Sequence, residues 1–321
     1  MAIRELFDSV HNPVPSGPMI DIVPGEGPGL RFALWGATRQ PVQGTVCIFQ
    51  GRTEFIEKYF ETISDLRRRG FAVVAVDWRG QGGSDRLLSN PHKGHVGSFA
   101  DFEKDIDRLL EHVVVPRCPR PFVALGHSMG GNVLLRLAQR PVQQFDRYVL
   151  TAPMIQLAGS RVGYPMKLAH AYVAAGRMIG QGWTYVPGGR DTSASPPSFE
   201  ANLLTTDAER YARNARVAQQ APQLTIGDPT VGWLAAAFKS MSELAKPGHA
   251  RRAEAPILCF SAGRDGIVSS PAIEAYCDQL KIGRLVFLPN AKHEILQETN
   301  AIRDQVLAAF DAFMSDNALA A

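Results

Sequence analysis

Phe122-Val123-Ala124-Leu125-Gly126-His127-Ser128-Met129-Gly130-Gly131-Asn132-Val133-Leu134-Leu135 decides the fold. Four unbroken apolar residues suit a short strand covered on both faces, and Val133, Leu134, Leu135 and Leu137 resume beyond the glycines at helical spacing. A strand that passes straight into a helix through Gly-x-Ser-x-Gly sets the serine on a sharp turn with its Oγ lifted above the sheet. Flanking glycines are required there because a larger side chain would collide with neighbouring backbone. By composition alone the five-residue string should occur in roughly one chain in ten of this length. Its placement between strand and helix therefore carries the argument; a turn needed only for packing is the competing reading.

Working outward, Phe71-Ala72-Val73-Val74-Ala75-Val76 is a second continuous apolar run, the pattern of a covered parallel strand. Ahead of it Phe55, Ile56, Tyr59, Phe60, Ile63 and Leu66 recur at helical spacing up to Gly70, and Arg67-Arg68-Arg69 sit where cations offset a helix's negative end. Residues 30–35 and 45–49 are glycine-bounded strand candidates. Residues 1–28, carrying Pro13, Pro15, Pro18, Pro24 and Pro28, are expected to form an irregular lead-in. Phe99, Phe102, Ile106, Leu109, Leu110 and Val113 supply a helix before the strand at 122–125, and residues 148–150 supply a strand after the next helix.

The alternation then stops. Residues 153–246 hold helical stretches broken by Pro165, Gly188-Gly189, Pro196-Pro197, Pro222 and Pro229. It resumes with Pro256-Ile257-Leu258-Cys259-Phe260, a helix near 271–280, Leu285-Val286-Phe287-Leu288, and a final helix faced by Ile302, Val306, Phe310 and Phe313. The reading is an α/β fold with a mostly parallel central sheet flanked by helices. Residues 1–152 and 247–321 form its core, and residues 153–246 an inserted helical cap.

Composition narrows the function. The 321 residues are 45% hydrophobic and 20% charged with 16 Phe, which excludes a disordered chain. A net charge of +3 is too small to argue for nucleic acid. Cys47, Cys118, Cys259 and Cys277 are far apart in or beside apolar runs, as buried free thiols are in a reducing compartment. The charged opening Met1-Ala2-Ile3-Arg4-Glu5 is unlike a secretory signal, and no apolar run has the length of a membrane span. The expected location is cytoplasmic, with peripheral contact at the inner membrane left open.

A serine at neutral pH needs a base, and the base needs a carboxylate to hold its tautomer. Asp265 follows the strand at 257–260 in Ser261-Ala262-Gly263-Arg264-Asp265-Gly266, and His293 follows the strand at 285–288 in Pro289-Asn290-Ala291-Lys292-His293. Singly, each could be an ordinary loop residue; together with Ser128 they occupy the strand ends where open parallel sheets place their sites. The order Ser, Asp, His is that of α/β-hydrolases. An oxyanion would take the backbone N–H of Met129, just after the nucleophile, and that of Arg52 in the loop Gln50-Gly51-Arg52-Thr53-Glu54. That loop also reads as a helix start with Thr53 as cap.

Gly80-Gln81-Gly82-Gly83-Ser84-Asp85 lacks the last glycine of a dinucleotide fingerprint, His293-Glu294-Ile295-Leu296-Gln297 lacks the second histidine of a zinc-protease helix, and His92-x-x-His95 lacks further ligands. No metal or cofactor is expected.

At these residues the chain resembles the α/β-hydrolase branch of bacterial lysophospholipases and monoacylglycerol lipases. The resemblance runs from about residue 30 to 315. It rests on Gly51-Arg52-Thr53-Glu54 with Lys58-Tyr59, on Asp77-Trp78-Arg79-Gly80-Gln81-Gly82-Gly83-Ser84, on Pro91-His92-Lys93-Gly94-His95-Val96, and on Thr151-Ala152-Pro153-Met154. It continues through Asn202-Leu203-Leu204-Thr205, Arg210-Tyr211-Ala212-Arg213-Asn214, Gly232-Trp233 and His293-Glu294-Ile295-Leu296.

The resemblance implies a triad of Ser128, Asp265 and His293, oxyanion donors at Arg52 and Met129, and a cap over an acyl pocket. It implies a carboxylic ester or lipid substrate. Gln50 departs from the histidine that monoacylglycerol lipases usually carry before the glycine. Tyr164, Met166, Leu168, Tyr172, Val173, Met178, Ile179 and Trp183 form an apolar cap stretch that could line an acyl pocket, touch a membrane or micelle, or simply pack the cap. An iminopeptidase-like amidase and a non-catalytic binding module on the same fold remain as alternatives.

Overall fold

The computed structural model describes residues 2–159, 166–191 and 198–316, with the side chains of 166 and 167 excepted. The chain divides into two compact units, one made of the described residues within 1–122, 164–195 and 213–240, the other of those within 123–163, 196–212 and 241–321.

In the first unit the strands are β1 (Met19–Ile22), β2 (Arg31–Trp35), β3 (Gly44–Phe49) and β4 (Phe71–Val76), in the order β1-β2-β4-β3. β1 and β4 run antiparallel to β2, while β3 and β4 pair in parallel with Gly44 opposite Phe71 and Phe49 opposite Val76. Every residue of β3 and β4 is buried, as their unbroken apolar runs require. Helix α1 (Phe60–Arg68) ends where Gly70 adopts φ +92°. Helix α2 (Ala100–Leu109) continues through a π turn at Leu110–Val114 into the short α3 (Val115–Arg117).

Two sequence expectations change here. The lead-in contains the strand β1, because Pro18 and Pro24 flank four proline-free residues that can pair as an edge. Helical structure begins only at Ile56, as a 3₁₀ turn leading into α1, so Thr53 caps nothing. Thr53 instead takes φ +69° and its hydroxyl donates to the Arg52 carbonyl at 2.5 Å.

In the second unit β5 (Phe122–His127), β6 (Arg147–Thr151), β7 (Ile257–Ala262) and β8 (Gly283–Leu288) lie in that order. All three pairings are parallel, with Val123 opposite Arg147, Tyr148 opposite Ile257 and Ile257 opposite Gly283. Helices α4 (Met129–Leu137), α8 (Ser270–Cys277) and α9 (Asn300–Ser315) follow β5, β7 and β8. Phe310 and Phe313 of α9 are buried, as their spacing predicts.

Between β6 and β7 the chain forms α5 (Met166–Met178), α6 (Ala208–Gln220) and α7 (Val231–Leu244). Tyr164, Pro165 and Pro196-Pro197 lie outside the described residues, as does the side chain of Met166. All four cysteines are free thiols, with Cys47, Cys259 and Cys277 buried. Among the described residues no helix is long and apolar enough to cross a membrane.

Candidate active site

Ser128 stands between β5 and α4 with φ 51° and ψ −110°, a conformation an L-residue holds only when its surroundings enforce it. The enforcement is visible on both sides. Its N–H donates to the Thr151 carbonyl at 3.0 Å, and its carbonyl accepts from Met154 N at 2.9 Å. A Cβ on Gly126 would meet Leu134 Cδ1 at 2.6 Å and Gly131 N at 2.9 Å, and one on Gly131 would meet Pro153 Cβ at 2.8 Å. Asn132 Nδ2 donates to the Met154 carbonyl at 2.7 Å, and His127 Nδ1 lies 3.1 Å from Thr151 Oγ1. The segment Thr151-Ala152-Pro153-Met154 is thus the brace of the turn, a role its sequence alone did not reveal.

Asp265 and His293 are brought to the same serine. His293 Nε2 lies 3.0 Å from Ser128 Oγ, and His293 Nδ1 lies 2.7 Å from Asp265 Oδ2. An ionised carboxylate can only accept, so Nδ1 carries the proton it donates to Asp265 and Nε2 is free to accept from the serine hydroxyl. Asp265 Oδ1 accepts from Ile267 N at 2.8 Å and Val268 N at 3.0 Å. Burial pushes the Asp265 carboxyl upward, but His293 and these two N–H groups outweigh it and leave it below the ordinary aspartate value. Ser128 is 8% exposed and His293 4%, so the hydrogen-bond chain is largely withdrawn from water.

The histidine loop is held from the inserted segment of the same unit. Glu294 N donates to the Leu204 carbonyl at 2.7 Å, Thr205 Oγ1 to the Gln297 carbonyl at 2.7 Å, and Lys292 Nζ to the Asn202 carbonyl at 2.8 Å. Fully buried Glu298 accepts from Lys292 N and Thr206 N at 2.7 and 3.0 Å. Asn202-Leu203-Leu204-Thr205 is therefore a support for His293.

Of the two oxyanion candidates, Met129 is the first residue of α4, where a backbone N–H has no acceptor within its own helix. Arg52 lies in the loop after β3. Sequence reasoning missed how that loop is fixed. Glu54 Oε2 accepts from Gly51 N and from Tyr59 Oη, each at 2.6 Å, while Lys58 Nζ pairs with Glu54 Oε1 at 2.7 Å. Gln81 Nε2 donates to the carbonyls of Gly51 and Glu54 at 2.8 and 3.1 Å. The Glu54 carboxylate and the Gln81 amide together close a turn whose third residue, Thr53, is strained.

Beneath that turn lies a buried ionic cluster. Arg31 Nε donates to Asp77 Oδ2 at 2.7 Å, and its Nη1 and Nη2 donate to Glu57 at 2.7 and 2.8 Å. Burial works against the Arg31 charge, but Asp77 and Glu57 overcome it and hold the guanidinium protonated. Asp77 Oδ1 also accepts from Gln50 Nε2 at 3.1 Å and Ile56 N at 2.9 Å, fastening both ends of the loop. A Cβ on Gly82 would fall 2.2 Å from Asp77 Cγ, and one on Gly83 2.2 Å from Arg31 Nε. The glycines of Gly80-Gln81-Gly82-Gly83 therefore make room for an ion cluster. His95 Nδ1 lies 2.9 Å from Thr230 Oγ1, and the His92 carbonyl accepts from Gly227 N at 2.7 Å, so this pair docks the inserted segment.

Comparison with known proteins agrees with this architecture. Residues 40–300 match the family model described as serine aminopeptidase, S33. Lysophospholipase L2 of Escherichia coli strain K12 is 31% identical over 301 residues, covering 89% of this chain and 84% of that protein. A probable lysophospholipase L2 of Haemophilus influenzae is 27% identical over 85% of this chain and 84% of its own. A soluble variant of the Saccharomyces cerevisiae monoglyceride lipase has a similar fold, with a TM-score of 0.73 and 16% identity over 94% of this chain and 96% of that one. With a family model matched over most of its length and a relative above 30% identity aligned nearly end to end, the chain belongs to the serine aminopeptidase S33 family of α/β-hydrolases.

Proposed function

We propose that this chain is a serine hydrolase that cleaves carboxylic esters through an acyl-enzyme, acting on a lysophospholipid or a monoacylglycerol. The observation that carries the reading is the hydrogen-bond chain Ser128 Oγ, His293 Nε2, His293 Nδ1, Asp265 Oδ2. Ser128 Oγ attacks the ester carbonyl while His293 Nε2 takes its proton. Asp265 holds the ring and balances the imidazolium that forms. The oxyanion is received by the Met129 N–H, a donor worth about 3 kcal/mol of barrier. His293 then gives the proton to the leaving alkoxide, and water repeats the cycle on the acyl-serine to release the fatty acid.

The substrate class follows the names of the relatives aligned over most of this chain, the two lysophospholipases L2, with a monoacylglycerol lipase of Mycolicibacterium smegmatis 25% identical over 40% of the chain. In this reading residues 153–246 act as the cap that admits the acyl chain. Leu168, Tyr172, Met178, Ile179 and Trp183 are all exposed, which favours contact of the cap with a lipid surface.

The test is Ser128→Ala. The variant should fold as the parent does, by circular dichroism and thermal melting, and lose three or more orders of magnitude in kcat on a monoacyl ester. Near-parental turnover in a folded variant would reject the assignment.

A further inference from the structure

Glu298 carries a carboxylate that the reaction above does not use. It is fully buried, and it forms no ion pair among the described residues. Its Oε1 accepts from Lys292 N at 2.7 Å, and its Oε2 accepts from Thr206 N at 3.0 Å and from the Thr206 hydroxyl. The cations of this region are engaged elsewhere. Lys292 Nζ donates to the Asn202 carbonyl at 2.8 Å, and Arg210 pairs with Asp207 at 2.7 Å and donates to the Glu298 backbone carbonyl at 3.1 Å. A carboxylate taken out of water and met only by neutral donors costs the fold free energy, so its placement calls for a reason.

What the carboxylate holds is the peptide that leads into His293. Lys292 N and the Ala291 carbonyl belong to one peptide unit, and that carbonyl accepts from Arg264 N at 2.9 Å. Arg264 immediately precedes Asp265, so a single peptide plane is tied on one edge to the aspartate loop and on the other to Glu298. Between Lys292 and Glu298 the chain passes through His293, Glu294 and the 3₁₀ turn Ile295–Gln297, where Gln297 N donates to the Glu294 carbonyl at 2.7 Å. The Glu298 side chain, reaching back six residues, closes a ring of backbone around His293, and Thr206 joins that ring to the inserted segment. All of these residues belong to the second compact unit, as does Ser128.

We infer that Glu298 is a positioning residue for His293 and Asp265: its carboxylate fixes the Ala291–Lys292 peptide, and through it the placement of the imidazole against the aspartate and Ser128. The effect on turnover rests on the ester-hydrolase reading above; the effect on the imidazole does not. A displacement of about 1 Å can cost on the order of a hundredfold in rate, and a side chain is held more closely than that only when the backbone beneath it is fixed. The competing role is stabilisation alone, in which Glu298 satisfies buried N–H groups and the imidazole keeps its place without it.

Two variants and two readouts separate these roles. Glu298→Gln keeps the shape of the side chain but exchanges one acceptor oxygen for an N–H donor, and Thr206→Val removes only the hydroxyl donor. The first readout is kcat and KM on p-nitrophenyl butyrate. The second is the low-field proton resonance of His293 Nδ1–H, assigned by its loss in His293→Gln. The inference expects kcat to fall roughly ten- to a hundredfold in Glu298→Gln with KM within about twofold, and roughly two- to fivefold in Thr206→Val. The resonance should move or broaden in both. An unmoved resonance in the folded variants, or a change confined to KM, would overturn the inference in favour of stabilisation alone. Should Glu298→Gln not fold, Thr206→Val carries both readouts. A parent that hydrolyses no ester but whose resonance shifts in Glu298→Gln would reject the hydrolase reading and leave the positioning role standing. Ester hydrolysis in the parent, with both variants matching it in rate and resonance, would do the reverse.

Discussion

Ser128, Asp265 and His293 are far apart in sequence yet form one hydrogen-bond chain, and each residue can be removed with a distinct consequence. Asp265→Asn keeps the shape but offers an amide N–H where His293 needs an acceptor, favouring the wrong tautomer. We expect kcat to fall by about 10³ to 10⁴ with KM little changed, measured on a soluble ester. Gly126→Ala attacks the turn instead. Its Cβ would meet Leu134 Cδ1 at 2.6 Å and Gly131 backbone at 2.9 Å, so it should cost stability as well as rate, read as a lower midpoint in urea. The positions of Ser128, Asp265 and His293 are legible from sequence because each lies just past an apolar strand. The strain at Ser128 and its brace at Met154 are not, because they depend on where the chain returns in space.

At the scale of elements, the loop after β3 shows what sequence reading leaves out. The helical spacing from Phe55 onward is real, but the expectation of a Thr53 cap fails because the turn is closed by a side chain, Glu54, reaching back to Gly51 N. Nothing in the order of residues 50–54 announces that bond. Glu54→Ala should free the turn and let Thr53 relax out of its left-handed conformation. A lower kcat with little change in KM is expected, and Glu54→Gln, which keeps an acceptor for Gly51 N, should recover part of the loss. Equal rates in all three proteins would mean that the clamp has no part in turnover. At the end of α5 (Met166–Met178), Met178 and the following Ile179 are 88% and 73% exposed. Replacing both with serine should weaken sedimentation with phosphatidylglycerol vesicles while leaving hydrolysis of a short soluble ester unchanged.

For the molecule as a whole, the strand and helix alternation and the inserted helices were readable, since burial on both faces writes continuous apolar runs into the sequence. The cluster of Arg31, Glu57 and Asp77 was not, because three charged residues from separate elements show no periodicity. Removing Arg31 leaves two buried carboxylates facing each other, and Arg31→Met should destabilise the protein by about 3 to 5 kcal/mol in chemical denaturation.

Stability should also respond to acid through His249, whose Nδ1 lies 2.9 Å from the Tyr276 hydroxyl. Burial, aided by Arg252 and Arg136, lowers His249 to about 4. The unfolded chain takes up a proton near pH 6.5, about the free imidazole value, where the native state does not. This contribution to stability is therefore complete above that pH and disappears as the pH falls toward about 4. Urea midpoints measured across that window should drop less steeply in His249→Gln than in the parent; parallel curves would show that another group is responsible.

The central claim is that Ser128 forms the covalent intermediate, and labelling tests it most directly. The parent protein is treated with a fluorophosphonate, digested, and mapped by mass spectrometry alongside residual esterase activity. The account predicts a single adduct on the peptide containing Ser128, activity lost in proportion to labelling, and no adduct in Ser128→Ala. Full activity in protein labelled at Ser128, or inactivation with the adduct on another residue, would contradict it.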